Sequence, residues 1–239
     1  MKKTVYFFKT SYDHNEIKAF TKLVRNGNFS MGEATINFEK AIAKKLNIKD
    51  ENVAMVSNCT TALHLSMIVA GVKKKHDVLC SSLTFVADAN CVKYVGAKPK
   101  FIDITSDLNW NMSVSDIEKK ITKNTKAIIM THYAGYPCEI TKIKKIAKQN
   151  KLIVIEDACH TIFSKYKNKY LGTYGDLGVF SLYGNKNITT GEGGIVIGKK
   201  EYIKKIKILR NHAIDKSMLE RSLSKTPTYQ IHELGYNYR

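Results

Sequence analysis

One lysine of this chain stands apart by its setting. The run Phe180-Ser181-Leu182-Tyr183-Gly184-Asn185-Lys186-Asn187-Ile188-Thr189-Thr190-Gly191-Glu192-Gly193-Gly194 delivers Lys186 from an apolar stretch into a turn of small and polar residues, with a Gly-rich hairpin signal behind it. Nearly all other lysines fall in charged, helix-like or surface contexts. An ammonium at the end of a buried strand is expensive to desolvate unless it has chemical work. A Schiff base to an aldehyde cofactor is one such use, with the Ser181 hydroxyl free to bind phosphate. The bland alternative is a strand-end turn whose lysine snorkels to solvent.

Three other clusters follow apolar runs. Ser57-Asn58-Cys59-Thr60-Thr61 follows Val53-Ala54-Met55-Val56. Small polar residues at a helix N-terminus expose backbone N–H groups to an anion, although plain capping by Asn58 or Thr60 explains the same residues. Ile155-Glu156-Asp157-Ala158-Cys159-His160 places a carboxylate after an apolar run. Asp157 there needs a cation, which a protonated pyridine nitrogen supplies; a helix N-cap or an arginine partner are the alternatives. His160 is expected one helical turn on, and a histidine alone there is more often structural than catalytic. Phe85 opens a helical segment after Ser82-Leu83-Thr84. An anion site, a ring-nitrogen acid, an amine and an aromatic face are together the contacts that pyridoxal phosphate requires.

These residues need a scaffold that brings strand ends together. Asp77-Val78-Leu79-Cys80, Phe101-Ile102-Asp103-Ile104, Ala127-Ile128-Ile129-Met130, Leu152-Ile153-Val154-Ile155, Gly178-Val179-Phe180-Ser181 and Gly194-Ile195-Val196-Ile197-Gly198 read as strands. The continuous apolar runs suit strands buried on both faces of a mainly parallel sheet. Helical periodicity links them: Phe38, Ile42, Leu46; residues 60–72; Phe85 to Val95; a capping box at Ser115-Asp116-Ile117-Glu118; Ile143, Ile146, Ala147; and Tyr202, Ile203, Ile206, Leu209. The expected architecture is a doubly wound α/β sheet in a βαβα order, with ligands beyond the carboxyl ends of the strands. Residues 212–227 read as a polar surface excursion.

Composition narrows the partners. The net charge is +18, yet only four of 39 basic residues are arginine. Nucleic-acid readers favour the planar guanidinium, and the lysines cluster on polar helix faces such as Lys142, Lys144, Lys145 and Lys148. Nucleic acid is therefore not the expected partner. No apolar run approaches a membrane span, and five scattered cysteines without metal-ligand spacing point to reduced thiols in a cytoplasm.

The ordered motifs resemble the sugar aminotransferases of the DegT/DnrJ/EryC1/StrS family, of the type I, aspartate-aminotransferase-like fold. The resemblance runs from about Gly27 to the last residue. It rests on Ser57 through Leu63, Thr84-Phe85, Gly96-Ala97-Lys98-Pro99 with Asp103, Glu156-Asp157-Ala158, the Lys186 segment through Gly194, and Gly235-Tyr236-Asn237-Tyr238-Arg239. It implies that Lys186 bonds to pyridoxal 5′-phosphate and shuttles a proton, and that Asp157 keeps the pyridine nitrogen protonated. It further implies that Phe85 stacks on the ring, that Thr60, Thr61 and Ser181 hold the phosphate, and that His160 replaces the usual Gln beside the ring hydroxyl. Asn237 would reach the phosphate of a neighbouring subunit in a homodimer with shared sites. The substrates implied are a nucleotide-linked keto-sugar and an amino donor such as glutamate.

Departures from the family pattern are specific. Cys59 stands where Gly or Ala is usual. Tyr183-Gly184-Asn185 replaces His-Pro-Val, as in the perosamine-synthase-like branch, and Ala213 replaces a glycine after His212. Sugar dehydratases of the family carry His at the lysine position. Family members continue past the Asn-Tyr-Arg motif into a small C-terminal domain. Residues 1–239 are thus expected to form the large cofactor-binding domain, C-terminally shortened relative to the family; the alternative is an inactive or regulatory cofactor-binding homologue.

Overall fold

The structure, a computed structural model, describes residues 5–6, 8–27, 31–216 and 228–239. Most of the expected excursion at 212–227 lies outside the described residues. In chain order the elements are α1 (His14–Arg25), α2 (Glu33–Leu46), β1 (Val53–Val56), α3 (Cys59–Val69), β2 (Asp77–Ser81), α4 (Ala87–Tyr94), β3 (Lys98–Ile102), β4 (Ile104–Ser106), β5 (Asn109–Met112), α5 (Val114–Lys120), β6 (Thr125–Thr131), α6 (Ile140–Gln149), β7 (Ile153–Asp157), β8 (Lys165–Tyr166), β9 (Lys169–Tyr170), β10 (Leu177–Ser181), β11 (Gly194–Gly198) and α7 (Lys200–Leu209).

Seven strands form one sheet in the order β1-β11-β10-β7-β6-β2-β3. The pairs β10·β7, β7·β6, β6·β2 and β2·β3 are parallel, whereas β11 runs antiparallel to both β10 and β1. The apolar runs predicted to be doubly buried are so. Ala127 and Ile129 pack into a core with Leu63, Met67, Cys91, Ile203 and Leu209 from α3, α4 and α7. Ile128 and Met130 face the opposite core, with Ile117, Ile143 and Ile146 from α5 and α6. The alternation follows from the two-residue period of a strand. A third cluster seats Ile42, Ala43 and Leu46 of α2 against Val53, Phe180, Ile195 and Ile197. The result is a sheet between two helical layers.

The strict βαβα order does not hold. No helix joins β7 to β10; a turn at 159–160 and the β8–β9 hairpin fill that connection. The hairpin turns at Lys167 and Asn168, both with positive φ (45° and 63°), the backbone shape that matches strand twist. His160 therefore sits on a turn and not one helical turn beyond Asp157. The helix predicted from Ser115 begins earlier: Ser113 caps α5 by accepting from the Asp116 N–H. The unread helix α1 starts with an Asp13–Glu16 capping box, which saturates two otherwise orphaned N–H groups.

Beneath the strand ends lies a buried polar anchor. His132 Nε2 donates to Glu156 Oε2 at 3.0 Å, and the Gly172 N–H donates to the same oxygen at 2.9 Å. The Gly175 N–H donates to Oε1. The Cys138 N–H donates to His132 Nδ1 at 3.2 Å, which fixes the proton on Nε2. This network holds the carboxyl ends of β6 and β7 and the loop before β10 in one arrangement.

Candidate active site

The carboxyl ends of β1, β2, β6, β7 and β10 open on one edge of the sheet, as the parallel pairings require. Registers put Val56 opposite Gly194, Ser181 opposite Gly194, Val179 opposite Asp157, and Thr131 opposite Asp157. The polar clusters read from the sequence therefore converge at one edge.

The 57–61 segment enters α3 through a capping box. The Thr61 N–H donates to Asn58 Oδ1 at 2.9 Å and the Asn58 N–H donates to Thr61 Oγ1 at 3.3 Å. The capping and the anion-binding explanations are thus compatible. The cap consumes the Thr61 N–H, while the Cys59 and Thr60 N–H groups have no acceptor among the described residues. These two, at the positive end of a helix of 11 residues, are the donors left for an anion. Gly194 makes room for them: a Cβ there would lie 2.4 Å from Asn58 C and O and 2.8 Å from Cys59 N. Ser181 is buried and accepts from the Tyr183 N–H at 3.3 Å; its hydroxyl hydrogen has no acceptor among the described residues.

Asp157, 4% exposed, ends β7. Its Oδ1 accepts from the Cys159 N–H at 3.0 Å. Among the described residues it has no Lys, Arg or His ion-pair partner, so the arginine alternative is not realised. A buried carboxylate in this state suits a cationic ring nitrogen.

Lys186 does not stand at the strand end itself. It lies five residues past Ser181, half-buried, in the loop between β10 and β11. That loop is closed by the Leu182 N–H to Gly193 C=O bond (2.9 Å), the Thr190 N–H to Leu182 C=O bond (3.1 Å) and a Lys186 N–H to Tyr183 C=O turn (3.0 Å). The N-terminal segment braces it: Thr10 Oγ1 donates to Gly184 C=O at 3.2 Å, and Phe8 meets Tyr183 edge-on. The ammonium has no ion-pair partner among the described residues. Its charge opposes the upward push of burial on the Cys59 and Cys159 thiols and adds to the depression of His160.

Partial burial, reinforced by the Lys186 charge and opposed by Asp157, holds His160 below the usual imidazole range. It is neutral at pH 7 and packs edge-on against Tyr133. Burial and the Asp157 charge push the Cys59 thiol well up, so it stays protonated and behaves as a small apolar group. Phe85 is 72% exposed, two residues before α4, a large aromatic face with nothing stacked on it among the described residues. Asn237 is exposed too. It bridges to Asn211, and its neighbour Tyr238 accepts from the Ser57 N–H at 2.9 Å, so the C-terminal strip runs beside the 57–61 segment.

Two residues of this region have no signal in the sequence reading. Asp88, on the first turn of α4, and Thr131, at the end of β6, meet beside Asp157: Thr131 Oγ1 donates to Asp88 Oδ2 at 2.6 Å. Asp88 sits in a mixed helical stretch where a carboxylate reads as solvated; only the tertiary packing buries it. Among the described residues there is no cluster of His, Cys, Asp and Glu able to hold a metal ion, and no helix long and apolar enough to cross a membrane.

A phosphorylated pyridine aldehyde fits these residues. Two unclaimed N–H groups and a hydroxyl suit its phosphate, a buried carboxylate without a cationic partner its nitrogen, an amine its aldehyde and an open aromatic its ring.

Comparison with known proteins identifies the family. Residues 10–239 match the DegT/DnrJ/EryC1/StrS aminotransferase family. The chain is 40% identical over 217 residues to the GDP-perosamine synthase of Escherichia coli O157:H7, covering 88% of this chain and 55% of that protein. It is 37% identical over 231 residues to a Campylobacter jejuni UDP-4-amino-4,6-dideoxy-N-acetyl-beta-L-altrosamine transaminase, covering 95% and 58%. Among solved structures, Helicobacter pylori PseC, an aminotransferase involved in the biosynthesis of pseudoaminic acid, superposes with a TM-score of 0.89 at 27% identity, covering 99% of this chain and 62% of that one. The chain thus spans about three-fifths of the length of the relatives it matches.

Proposed function

The chain belongs to the DegT/DnrJ/EryC1/StrS aminotransferase family, and we propose that it serves the transamination of a nucleotide-linked keto-sugar, a 3- or 4-keto-6-deoxyhexose, with an amino-acid donor such as glutamate, for surface polysaccharide or glycan assembly. The observation that carries the proposal is the strand-end cluster itself: a free lysine, a buried carboxylate without a cation, and two unclaimed helix N–H groups on one edge. The names of the relatives at 40% and 37% identity support a sugar as the amine acceptor.

Pyridoxal 5′-phosphate, when bound, supplies an electron sink for removing a proton from carbon. The protein supplies the rest. Lys186 Nζ would hold the aldehyde and, as a free amine, would accept and return a proton at that atom. Asp157 holds the ring nitrogen charged, since its carboxylate favours the protonated form. The Cys59 and Thr60 N–H groups and the Ser181 hydroxyl bind the phosphate, with Thr61 acting through the cap that shapes the turn. Phe85 would cover one ring face and exclude water there. Neutral His160 offers a ring N–H to the cofactor's hydroxyl side. The exposed Asn237 is available to the phosphate site of a second copy, giving a homodimer with shared sites. Residues 1–239 are the large cofactor-binding domain in this scheme. Five unpaired thiols suit a cytoplasmic enzyme.

The test uses the purified chain. Added pyridoxal phosphate yields a visible absorbance band that Lys186→Ala abolishes and glutamate bleaches. A panel of nucleotide keto-sugars then identifies the acceptor by amine formation. Wild-type protein that binds no pyridoxal phosphate refutes the proposal. A band that glutamate leaves untouched, with no sugar aminated, selects an inactive cofactor-binding homologue.

A further inference from the structure

Asp88 is a carboxyl group in a place where a charge has no support. It is fully buried at 0% exposure, and among the described residues no Lys, Arg or His pairs with it. Its Oδ2 accepts from Thr84 Oγ1 and Thr131 Oγ1, both at 2.6 Å. Its Oδ1 finds no N–H or O–H donor. The group beside it is another carboxyl: Thr131, which donates to Asp88 at 2.6 Å, is the register neighbour of the buried Asp157, so the two carboxyls flank one threonine at the strand end.

Two buried carboxyls side by side without a cation do not both ionise. One proton must lie between them. We propose that Asp88 carries this proton at neutral pH and donates it from Oδ1 in a hydrogen bond to Asp157, which holds Asp157 ionised and aimed at the strand-end site. Asp88 is thus a positioning residue, acting through Asp157. The hydrogen-bond pattern supports this assignment of the proton. Oδ2, serving as the carbonyl oxygen, is saturated by two hydroxyls without bearing a charge, and Oδ1 is left as the donor. Asp157 has the Cys159 N–H, at 3.0 Å, on its own Oδ1.

The other titratable groups around the pair do not change the balance. Asp88 acts on Cys80 of β2 and Cys91 of α4, and on Cys59 and Cys159 beside the site, and burial pushes all four thiols up so that they remain neutral. Burial, followed by the Asp157 charge, likewise pushes Asp88 well above the usual carboxylate range. The placement of the proton rests on the burial of both carboxyls, the two threonine hydroxyls on Asp88 Oδ2 and the unpartnered Oδ1; its consequence for the cofactor rests on the function proposed above.

The test begins on cofactor-free protein. Infrared spectra at pH 7 in H₂O and D₂O should show the carbonyl stretch of a protonated carboxylic acid, shifted by deuteration. The band should vanish in Asp88→Asn and persist in the surface control Asp116→Asn. Wild type without the band, or a band that survives Asp88→Asn, overturns the proposal. The second readout is affinity for pyridoxal phosphate. Asn at 88 can donate to Asp157 and accept from both threonines, so Asp88→Asn should stay within about threefold of wild type, whereas Asp88→Ala should weaken binding more than about tenfold, the loss of one hydrogen bond to a charged group. Equal affinities for Asn and Ala overturn the positioning role. If Asp88→Ala fails to fold, the infrared comparison with Asp88→Asn still decides. A wild type that shows the band yet binds no pyridoxal phosphate refutes the transaminase reading and leaves the shared proton in place.

Discussion

Gly194→Ala is the substitution that most directly tests how the anion site is built. The added Cβ would sit 2.4 Å from Asn58 C and O, against an ordinary contact of 3.4 Å or more. Both atoms are backbone, so no side-chain rotamer can relieve the overlap. Either β11 or the 57–61 segment must move by about 1 Å, and interiors at crystal-like density resist such shifts. Overpacking of this kind costs about 1–3 kcal/mol of stability. The cost to the ligand is larger. A 1 Å displacement takes the Cys59 and Thr60 N–H groups out of hydrogen-bonding range of a phosphate. Each such bond to a charged group contributes about 1.5–3 kcal/mol, so two lost bonds weaken binding by about 3–6 kcal/mol, or about 10²- to 10⁴-fold. The assay is titration of pyridoxal phosphate followed by absorbance, beside urea unfolding of the same proteins. Gly191→Ala is the control. Its Cβ meets nothing within 4 Å and its φ of +83° carries strain only, so it should lose about 1 kcal/mol of stability and keep its affinity. If Gly194→Ala binds pyridoxal phosphate as wild type does, the contact between β11 and the helix entry is not what shapes the site.

Other outcomes follow from named groups. Glu156→Ala strands three donors, from the buried His132 and Gly172 and the half-buried Gly175; at about 1–3 kcal/mol per unpaired group it should lose about 3–5 kcal/mol in urea unfolding, and a loss under 1 kcal/mol refutes the anchor. Glu39 accepts from Arg210 at 2.8 Å and Lys207 at 2.7 Å. Burial raises its pKa, but the Arg210 and Lys207 charges outweigh burial and hold it below the usual carboxylate range. With the folded value depressed, this stability is present above about pH 4.3, the unfolded value, and is lost as pH falls through the folded one. Glu39→Gln should flatten the acid limb of a stability–pH curve, and an unchanged limb refutes the pairing. His160 should titrate below the free imidazole value by NMR. Because the Lys186 charge contributes to that depression, Lys186→Ala should move the midpoint upward; an unmoved midpoint separates the two groups.

What the sequence discloses is what local periodicity can encode. Ile128-Ile129-Met130 and Val179-Phe180 are buried on both sides of a parallel sheet, as continuous apolar runs require. Asp157, Ser181 and the 57–61 segment fall at strand ends because each follows such a run directly. Lys186 stands off its expected place because Leu182, Tyr183, Gly184 and Asn185 intervene after the strand and no periodicity counts them. The β8–β9 hairpin was missed because Lys167 and Asn168 take a positive-φ turn without glycine. Asp88 was illegible for a deeper reason. Its partners Thr84 and Thr131 lie four and 43 residues away, and a carboxylate in a short helix carries no mark of the chain that will cover it.

The reversed strand β11 has a consequence for how the lysine loop can vary. Because β11 pairs antiparallel with β10, Ser181 and Gly194 are direct partners, and the intervening segment leaves and re-enters the sheet at the same point. Its ends are pinned a strand spacing apart whatever its length. The closure entropy of such an excursion grows only with the logarithm of its length, by about 0.6 kcal/mol per doubling. The amine's reach over the sheet edge is therefore free to be re-tailored by exchange or insertion at 183–185 without disturbing any strand register. A right-handed crossover helix in the same position would have tied the amine's placement to the packing of a whole layer.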